Sequence, residues 1–379
     1  MQPTVALIGR PDSGIDQVFN AAVGSQVVES RDRMPRRIGA LGLPDRRLTR
    51  LAEVMGSRSE VQAQLTLWHF PGHGLGLGAD VNPAWLGELR TADILGFVIR
   101  PEAGADVQAT LRSNTDGLAT ADARGFAGHP ATGADVEFAL RSSADDLAAE
   151  LALWDLEVLE GAIARAHERA TKGPRVERRE AQHALELLSR AREQLSDSAV
   201  LDTSALTPDD QRALRGFGLF AAKPRAVLAN VDDPDAPAAA RATESLSAFA
   251  VVAGETEAEI WSLEPDDAQA FRDDLGLPGT AADRVGAAVM QAAGLHVFYT
   301  ANRAAATAWL LPVGGTALEA AATIHSDFAQ RFIGADVAPC DEVISADGLA
   351  PLRAAGRLQR VGRDHVLADR DVLQIHFSR

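Results

Sequence analysis

The sequence predicts an α/β fold: a parallel sheet with helices on its faces, an inserted α-helical hairpin, and a smaller C-terminal α+β unit. Three observations predict it. Strand-like and helix-like stretches alternate over roughly the first 100 residues, the pattern of a covered parallel sheet. Two long stretches of helical period then meet at a Gly-Pro break, and strand-like text resumes beyond them. The hairpin is therefore expected as an insertion within the first unit, not as a separate neighbour. This gives expected boundaries of 1–141 with 216–296 for the sheet unit, 142–215 for the insertion and 297–379 for the C-terminal unit.

The elements follow in order. "TVALIGR" reads as a buried strand, and "DQVFNAAVG" as a short helix stopped by glycine. "RRIGALGLP", "VQAQLTLWHF" and "ADILGFVIRPE" supply further strands. Residues 114–135 are Gly, Ala, Thr and Asp without period, and read as a loop or disordered insertion. Leu147, Leu151, Trp154, Leu156, Val158, Leu159 and Ile163 then recur at three- and four-residue steps, with Ser143 suited to cap the helix. "KGPR" breaks the run, and "VERREAQHALELLSRAREQLSD" returns as the second arm of an antiparallel hairpin. "LTPDDQRALRGFG" adds a helix with Thr207 as cap and Pro208 in its first turn. "AKPRAVLANVDDPD" and "AFAVVAGETEAEI" return to strands, and two linking helices lead to residue 297. Beyond it, strands surround one clear helix, "TALEAAATIHSDFAQRF".

Composition narrows the function. With 46% hydrophobic and 24% charged residues the chain has the make-up of a soluble globular protein, and its length suggests more than one core. No apolar run approaches the roughly 20 residues that span a bilayer. The N-terminus reads directly into a strand without a basic-then-apolar leader, so no membrane partner and cytoplasmic residence are expected. One cysteine, Cys340, excludes an internal disulfide framework and a multi-cysteine zinc site. A formal net charge of −16 argues against a broad DNA- or RNA-binding surface. Arg303, Arg331, Arg353, Arg357, Arg360, Arg363 and Arg370 leave room for a local basic patch near the C-terminus.

The first strand ends in "GRPDSGID", with Gly9 and Gly14 at the spacing of G-x-x-x-x-G-K-[ST]. In such a loop the backbone N–H groups and a helix start surround phosphate, the lysine reaches the β/γ-phosphates, and the Ser or Thr hydroxyl holds Mg²⁺. Gly9, Arg10, Pro11, Asp12, Ser13 and Gly14 are thus the candidate phosphate-facing residues, but Ile15 stands for the lysine and Asp16 for the hydroxyl. A carboxylate near 4 Å from a phosphate costs about 4 kcal/mol at an effective dielectric of 20. A second element, "LTLWHFPGHGLGLG", has His69 where a P-loop nucleotidase carries the Asp of Asp-x-x-Gly, followed by Gly72. His69 and His73 have an i,i+4 spacing, but Pro71 and Gly72 between them favour ordinary loop packing over a metal site. A third element, Asn230 and Asp233, forms an Asn-x-x-acid turn after a strand, suited to reading a nucleobase. No nucleophile–base or paired-carboxylate constellation stands out, so no catalytic residue is assigned.

Taken in order, these pieces resemble the YchF/Obg-like ATPase family, a branch of the translation-factor GTPases. The resemblance is most specific near the C-terminus, on Thr300, Ala301, Trp309, Gly315, Thr316, Ile324, His325, Asp327, Phe328, Phe332, Ile333 and Val337. It implies a P-loop NTPase-type sheet with an inserted helical hairpin and a TGS-type, β-grasp-like C-terminal domain. It also implies an ATP- or GTP-binding site, with Gly9, Pro11 and Gly14 matching the family's loop and Asn230 with Asp233 approximating its base-reading turn. The family's switch threonine falls in "RDRMPRR", which contains none. Because the lysine, the hydroxyl, the carboxylate and this threonine are all replaced, ATP or GTP binding is expected to be weak and Mg²⁺ to lack its ligands. The resemblance further implies a ribosome or translation-factor partner. Three readings stay open: a pseudo-ATPase or pseudo-GTPase acting as a ribosome-associated binding protein; an active hydrolase that draws a cation from Arg10 or the arginines within 33–37; and a binder of nucleoside monophosphates at Asn230 and Asp233.

Overall fold

β1 (Thr4–Gly9) is apolar at successive positions and, apart from Thr4, buried. A strand buried on both faces needs a helical layer on each side of its sheet. The computed structural model supplies both layers. It describes residues 2–24, 27–30, 35–76, 81–100, 133–231, 246–275 and 278–378.

After β1 come α1 (Ile15–Val23), β2 (Val27–Ser30), β3 (Arg36–Leu43), α2 (Arg46–Met55), β4 (Glu60–Val61), β5 (Ala63–His69), α3 (Pro83–Leu89) and β6 (Ile94–Ile99). The insertion comprises α4 (Gly133–Lys172), α5 (Arg175–Asp197) and α6 (Pro208–Arg215). β7 (Arg225–Asn230) and β8 (Phe249–Val252) return to the sheet, followed by α7 (Gly254–Ile260), α8 (Pro265–Leu275) and α9 (Ala281–Ala292). The C-terminal part holds β9 (Leu295–Ala301), β10 (Ala306–Pro312), α10 (Ala317–Ile324), α11 (Ser326–Gln330), β11 (Phe332–Pro339), α12 (Cys340–Ser345), α13 (Leu349–Ala354), β12 (Gln359–Val361) and β13 (Asp371–Phe377).

Among the described residues the first sheet runs β2-β3-β5-β1-β6-β7-β8. β5, β1, β6, β7 and β8 are parallel, as the sequence predicts. β2 and β3 depart from that expectation: β3 runs antiparallel to β5, and β2 antiparallel to β3. The reason lies in the connection. A parallel neighbour needs a crossover lying on its own sheet, whereas α2 and β4, which join β3 to β5, pack on the other sheet. One face of the first sheet is covered by α1 and α9 through Val18, Phe19, Val285 and Val289. The other is covered by α3 and the start of the insertion through Trp85, Leu147 and Leu151.

The helical hairpin forms with the break at Gly173 and Pro174. Its first arm begins at Gly133, so Ser143 lies inside the helix and caps nothing. The apolar spacing in fact runs back past Ser143 through Leu140, which is buried, and Val136 four residues before it in sequence. Of the segment read as a loop, 114–132 lies outside the described residues and 133–135 is helical. Thr207 caps α6 by accepting from the Asp210 N–H, with Pro208 in the first turn, as expected. Asp155 on α4 is buried, and its carboxylate accepts from Arg90 Nη1 at 2.6 Å and from the Ala221 N–H at 2.9 Å. This contact fastens the insertion to the sheet unit.

The second sheet runs β12-β11-β13-β9-β10-β4. Its last strand comes from far upstream, with Glu60 and Val61 of β4 pairing parallel to β10. Leu48 and Leu51 of α2 share a core with Tyr299, Ala306 and Val343. The Tyr299 hydroxyl donates to Asp45, whose other carboxylate oxygen caps α2 by accepting from Arg47 N. The sequence shows one helix in the C-terminal part; the structure has α10 to α13 there. α11, α12 and α13 are too short to show an apolar period. Among the described residues no helix is long and apolar enough to cross a membrane.

Candidate functional site

β1 delivers Gly9 to the C-terminal edge of the parallel sheet, where open α/β folds place their ligands. Residues 10–13 then turn back sharply. Both the backbone N–H and the hydroxyl of Ser13 donate to Arg10 O, at 3.0 and 2.8 Å, and Ser13 is buried. Neither donor is therefore offered to an anion. Gly14 ends the turn at φ 74°, a left-handed conformation that favours glycine, and α1 starts at the next residue. Ile15 points into the core beside Val18 and Phe19, so the position of the loop lysine is occupied by a buried hydrocarbon.

Asn230, at the end of β7, is fully buried. Its Nδ2 donates to Ser13 O at 3.0 Å and to Gln17 Oε1 at 2.9 Å, and its Oδ1 accepts from Gly254 N at 3.1 Å. Both amide hydrogens are committed to the protein, and the side chain ties the turn, α1 and the start of α7 together. Gly14 packs directly against it: a Cβ there would lie 2.2 Å from Asn230 Nδ2. Asp233, paired with Asn230 in the sequence motif, lies outside the described residues.

The next contact joins Asp16 and His69, the two positions at which the resemblance expects Mg²⁺ ligands. His69, at the end of β5, is buried, and its Nε2 lies 2.8 Å from Asp16 Oδ1. Arg37 on β3 donates to the same oxygen at 3.2 Å, donates to Asn20 Oδ1 at 2.8 Å, and stacks on Phe19 at 4.9 Å. A carboxylate only accepts, so His69 Nε2 carries the proton. His69 Nδ1 is then a buried acceptor with no partner. Burial holds the His69 pKa below its ordinary 6.5 against the opposing pull of Asp16, so the ring is neutral at physiological pH. Asp16 with Arg37 makes a pair of zero net charge. The repulsion that Asp16 alone would exert on phosphate is accordingly smaller than its sequence position suggests.

The remaining residues of the second element go elsewhere. Gly72 makes a turn at φ 74°. His73 Nδ1 sits 3.0 Å from Pro71 O, and its ring lies 5.6 Å from that of Trp85, while His69 faces Asp16. The two histidines are thus engaged with different partners. Leu75 N donates to Gly9 O at 2.9 Å, which lays this segment against the base of the turn. Among the described residues no cluster of His, Cys, Asp and Glu has the arrangement of a metal site. Arg36, a candidate for a displaced cation, binds Glu88 at 2.7 Å and lies over Trp68 at 4.3 Å. Arg33 lies outside the described residues.

Sequence reasoning missed Gln17 and Gly254 as parts of this site, and named Arg37 only as a possible phosphate-binding cation, not as a partner of Asp16. It also missed the pairing of Asp16 with His69. A signal for that pairing existed: against the motif that the resemblance expects, one position reads as an acid in place of a hydroxyl and the other as an imidazole in place of an acid.

Comparison with known proteins places this arrangement. Residues 295–378 match the family model YchF-GTPase_C, described as a protein of unknown function (DUF933). The chain is 27% identical over 384 residues to the ribosome-binding ATPase YchF of Haemophilus ducreyi, covering 98% of each chain. It is 24% identical over 394 residues to the ribosome-binding ATPase YchF of Bacillus subtilis, covering 100% of each. The structure of the Schizosaccharomyces pombe YchF GTPase superposes with a TM-score of 0.71 at 17% identity, over 99% of this chain and 98% of that one. The chain is similar to YchF proteins along nearly its whole length. Its mixed α/β fold with a parallel sheet, helical insertion and C-terminal sheet is that of the YchF GTPase. In this chain the shared fold surrounds a turn whose polar groups satisfy one another.

Proposed function

We propose that this YchF-like chain is a ribosome-associated binding protein that keeps the nucleotidase scaffold without hydrolysing ATP or GTP. The observation that carries the reading is the Asp16–His69–Arg37 cluster. The two positions at which the family resemblance expects Mg²⁺ ligands bond to each other, and a resident guanidinium occupies the carboxylate.

A Mg²⁺–triphosphate does not fit the residues present. The loop lysine is replaced by Ile15, which is buried in the core and cannot reach a phosphate. Ser13 spends its donors within the turn, and Asn230 spends both amide hydrogens on the protein. A magnesium ion would have to break the Asp16–Arg37 contact and accept a neutral imidazole, a poor ligand for a hard cation. Arg36 and Arg37 are engaged on Glu88 and Asp16, which disfavours an active hydrolase using either as its phosphate-binding cation. Arg10 and Arg33, the latter outside the described residues, are the remaining candidates named for that role. A ribosomal partner is supported by the relatives called ribosome-binding ATPase YchF, which align along nearly the full chain.

Two measurements test the proposal. Titration calorimetry of the full chain with ATP, GTP and ADP plus Mg²⁺ is expected to give dissociation constants above roughly 1 mM, about −4 kcal/mol or weaker, with no phosphate release. Micromolar binding with turnover that Arg10→Ala abolishes would establish the active alternative. Co-sedimentation with ribosomal subunits is expected with and without ATP. Its absence under both conditions removes the partner assignment.

A further inference from the structure

The outer face of α7 and α8 combines apolar side chains with unpaired carboxylates. Trp261 is 51% exposed, Leu263 43% and Phe271 49%. These three large hydrophobics fall within eleven residues of chain. Trp261 is held in place: its indole N–H donates to Ala21 O at 2.8 Å, and its ring lies against Gly24, where a Cβ would stand 2.7 Å from the indole. A fixed, half-exposed indole loses little freedom on binding, which is the property of an interface anchor. Trp261 and Arg272 line one crevice, so the end of α7 and the last turn of α8 meet there, with the exposed Phe271 next to Arg272 in the chain.

The same two helices and the link between them carry Glu255, Glu259, Glu264, Asp266 and Asp267, all exposed. Among the described residues none of the five makes an ion pair. We infer that this face is a docking surface for a basic polypeptide segment carrying apolar side chains, with arginines meeting the carboxylates and apolar residues covering Trp261, Leu263 and Phe271. Charge selects this occupant. RNA and anionic membranes bring negative charge to a carboxylate rim. A second copy meeting the same face across a two-fold axis would set acid against acid. Arginine also stacks favourably on an indole. The inference is independent of the nucleotide reading, because none of these residues belongs to the turn or its contacts.

The test uses the full chain and a fluorescein-labelled synthetic peptide alternating Arg and Leu, followed by fluorescence anisotropy. An all-Lys peptide of equal length and a single-stranded RNA serve as competitors. Saturable binding is expected, with affinity falling about tenfold in a Leu263→Ser, Phe271→Ser double variant. It should fall by about tenfold in a Glu264→Lys, Asp266→Lys, Asp267→Lys variant, which should also lose much of the salt dependence. Thermal midpoints show whether each variant is folded, and the charge variant alters only exposed positions should the apolar one fail. Absence of binding, equal affinity for the all-Lys peptide, displacement by RNA, or wild-type affinity in a folded variant each overturns the inference.

Discussion

The buried imidazole of His69 and the exposed carboxylate of Asp16 are joined by a 2.8 Å hydrogen bond between Nε2 and Oδ1, across 53 residues of sequence. Because burial lowers the His69 pKa, the unfolded chain takes up a proton near pH 6.5 that the folded chain refuses. The unfolded state then binds more protons, and stability falls as pH drops from 6.5 toward the folded value. The stabilising contribution of this neutral imidazole is fully present above that window. His69→Gln is expected to flatten the dependence of the thermal midpoint on pH below 6.5 relative to wild type. An unchanged slope would place the acid sensitivity elsewhere.

Asn230→Ala should be costly for a structural reason. It leaves Ser13 O and the Gly254 N–H without their partner in a buried setting, and the half-buried Gln17 without its donor. A loss of about 3 kcal/mol is expected in urea unfolding, together with faster proteolysis of the turn at residues 10–13. Gly14→Ala should lose at least about 1 kcal/mol, since an alanine is strained at positive φ and its Cβ meets the Asn230 amide.

Asp155 tests how the insertion is anchored. Burial raises its pKa despite the neighbouring Arg90, so the ion pair fixes position more than it adds stability. Removing only the acid strands a largely buried guanidinium. Asp155→Ala is expected to lose about 3–5 kcal/mol, measured by urea unfolding. The replacement should also increase amide exchange at Ala221 and along the start of α4.

Tyr299→Phe removes the hydroxyl that reaches Asp45. The expected loss is about 1–2 kcal/mol by thermal or urea unfolding, with Asp45 still able to cap α2 through Arg47 N. Tyr299→Phe with Asp45→Ala should be less than additive, because the two side chains share one bond.

Strands such as "TVALIG" and "RAVLAN" were legible because their apolar residues run without interruption, and the hairpin because its period is long. The turn from Gly9 to Gly14 was legible from glycine spacing alone. What stayed hidden depends on distance in the chain. Nothing local tells that Asp16 will meet His69 and Arg37, or that Asn230 will spend its amide on Ser13 and not on a base. The strand direction of β3 was hidden for the same reason, since it depends on where α2 and β4 go. Short helices such as Cys340–Ser345 escape any reading by period.

The excursion of the chain between β3 and β5 has a consequence for where the molecule can be cut. The stretch that recurs as a family model starts at residue 295. A fragment beginning there would lack the strand at Glu60–Val61 and the helix carrying Leu48 and Leu51, and would bare Tyr299 and Ala306 to water. Evolutionary bookkeeping and mechanical integrity thus draw their borders in different places. The same excursion means that the strands bearing Arg37 and His69 each run, within a few residues, into a segment that packs on the other β-sheet.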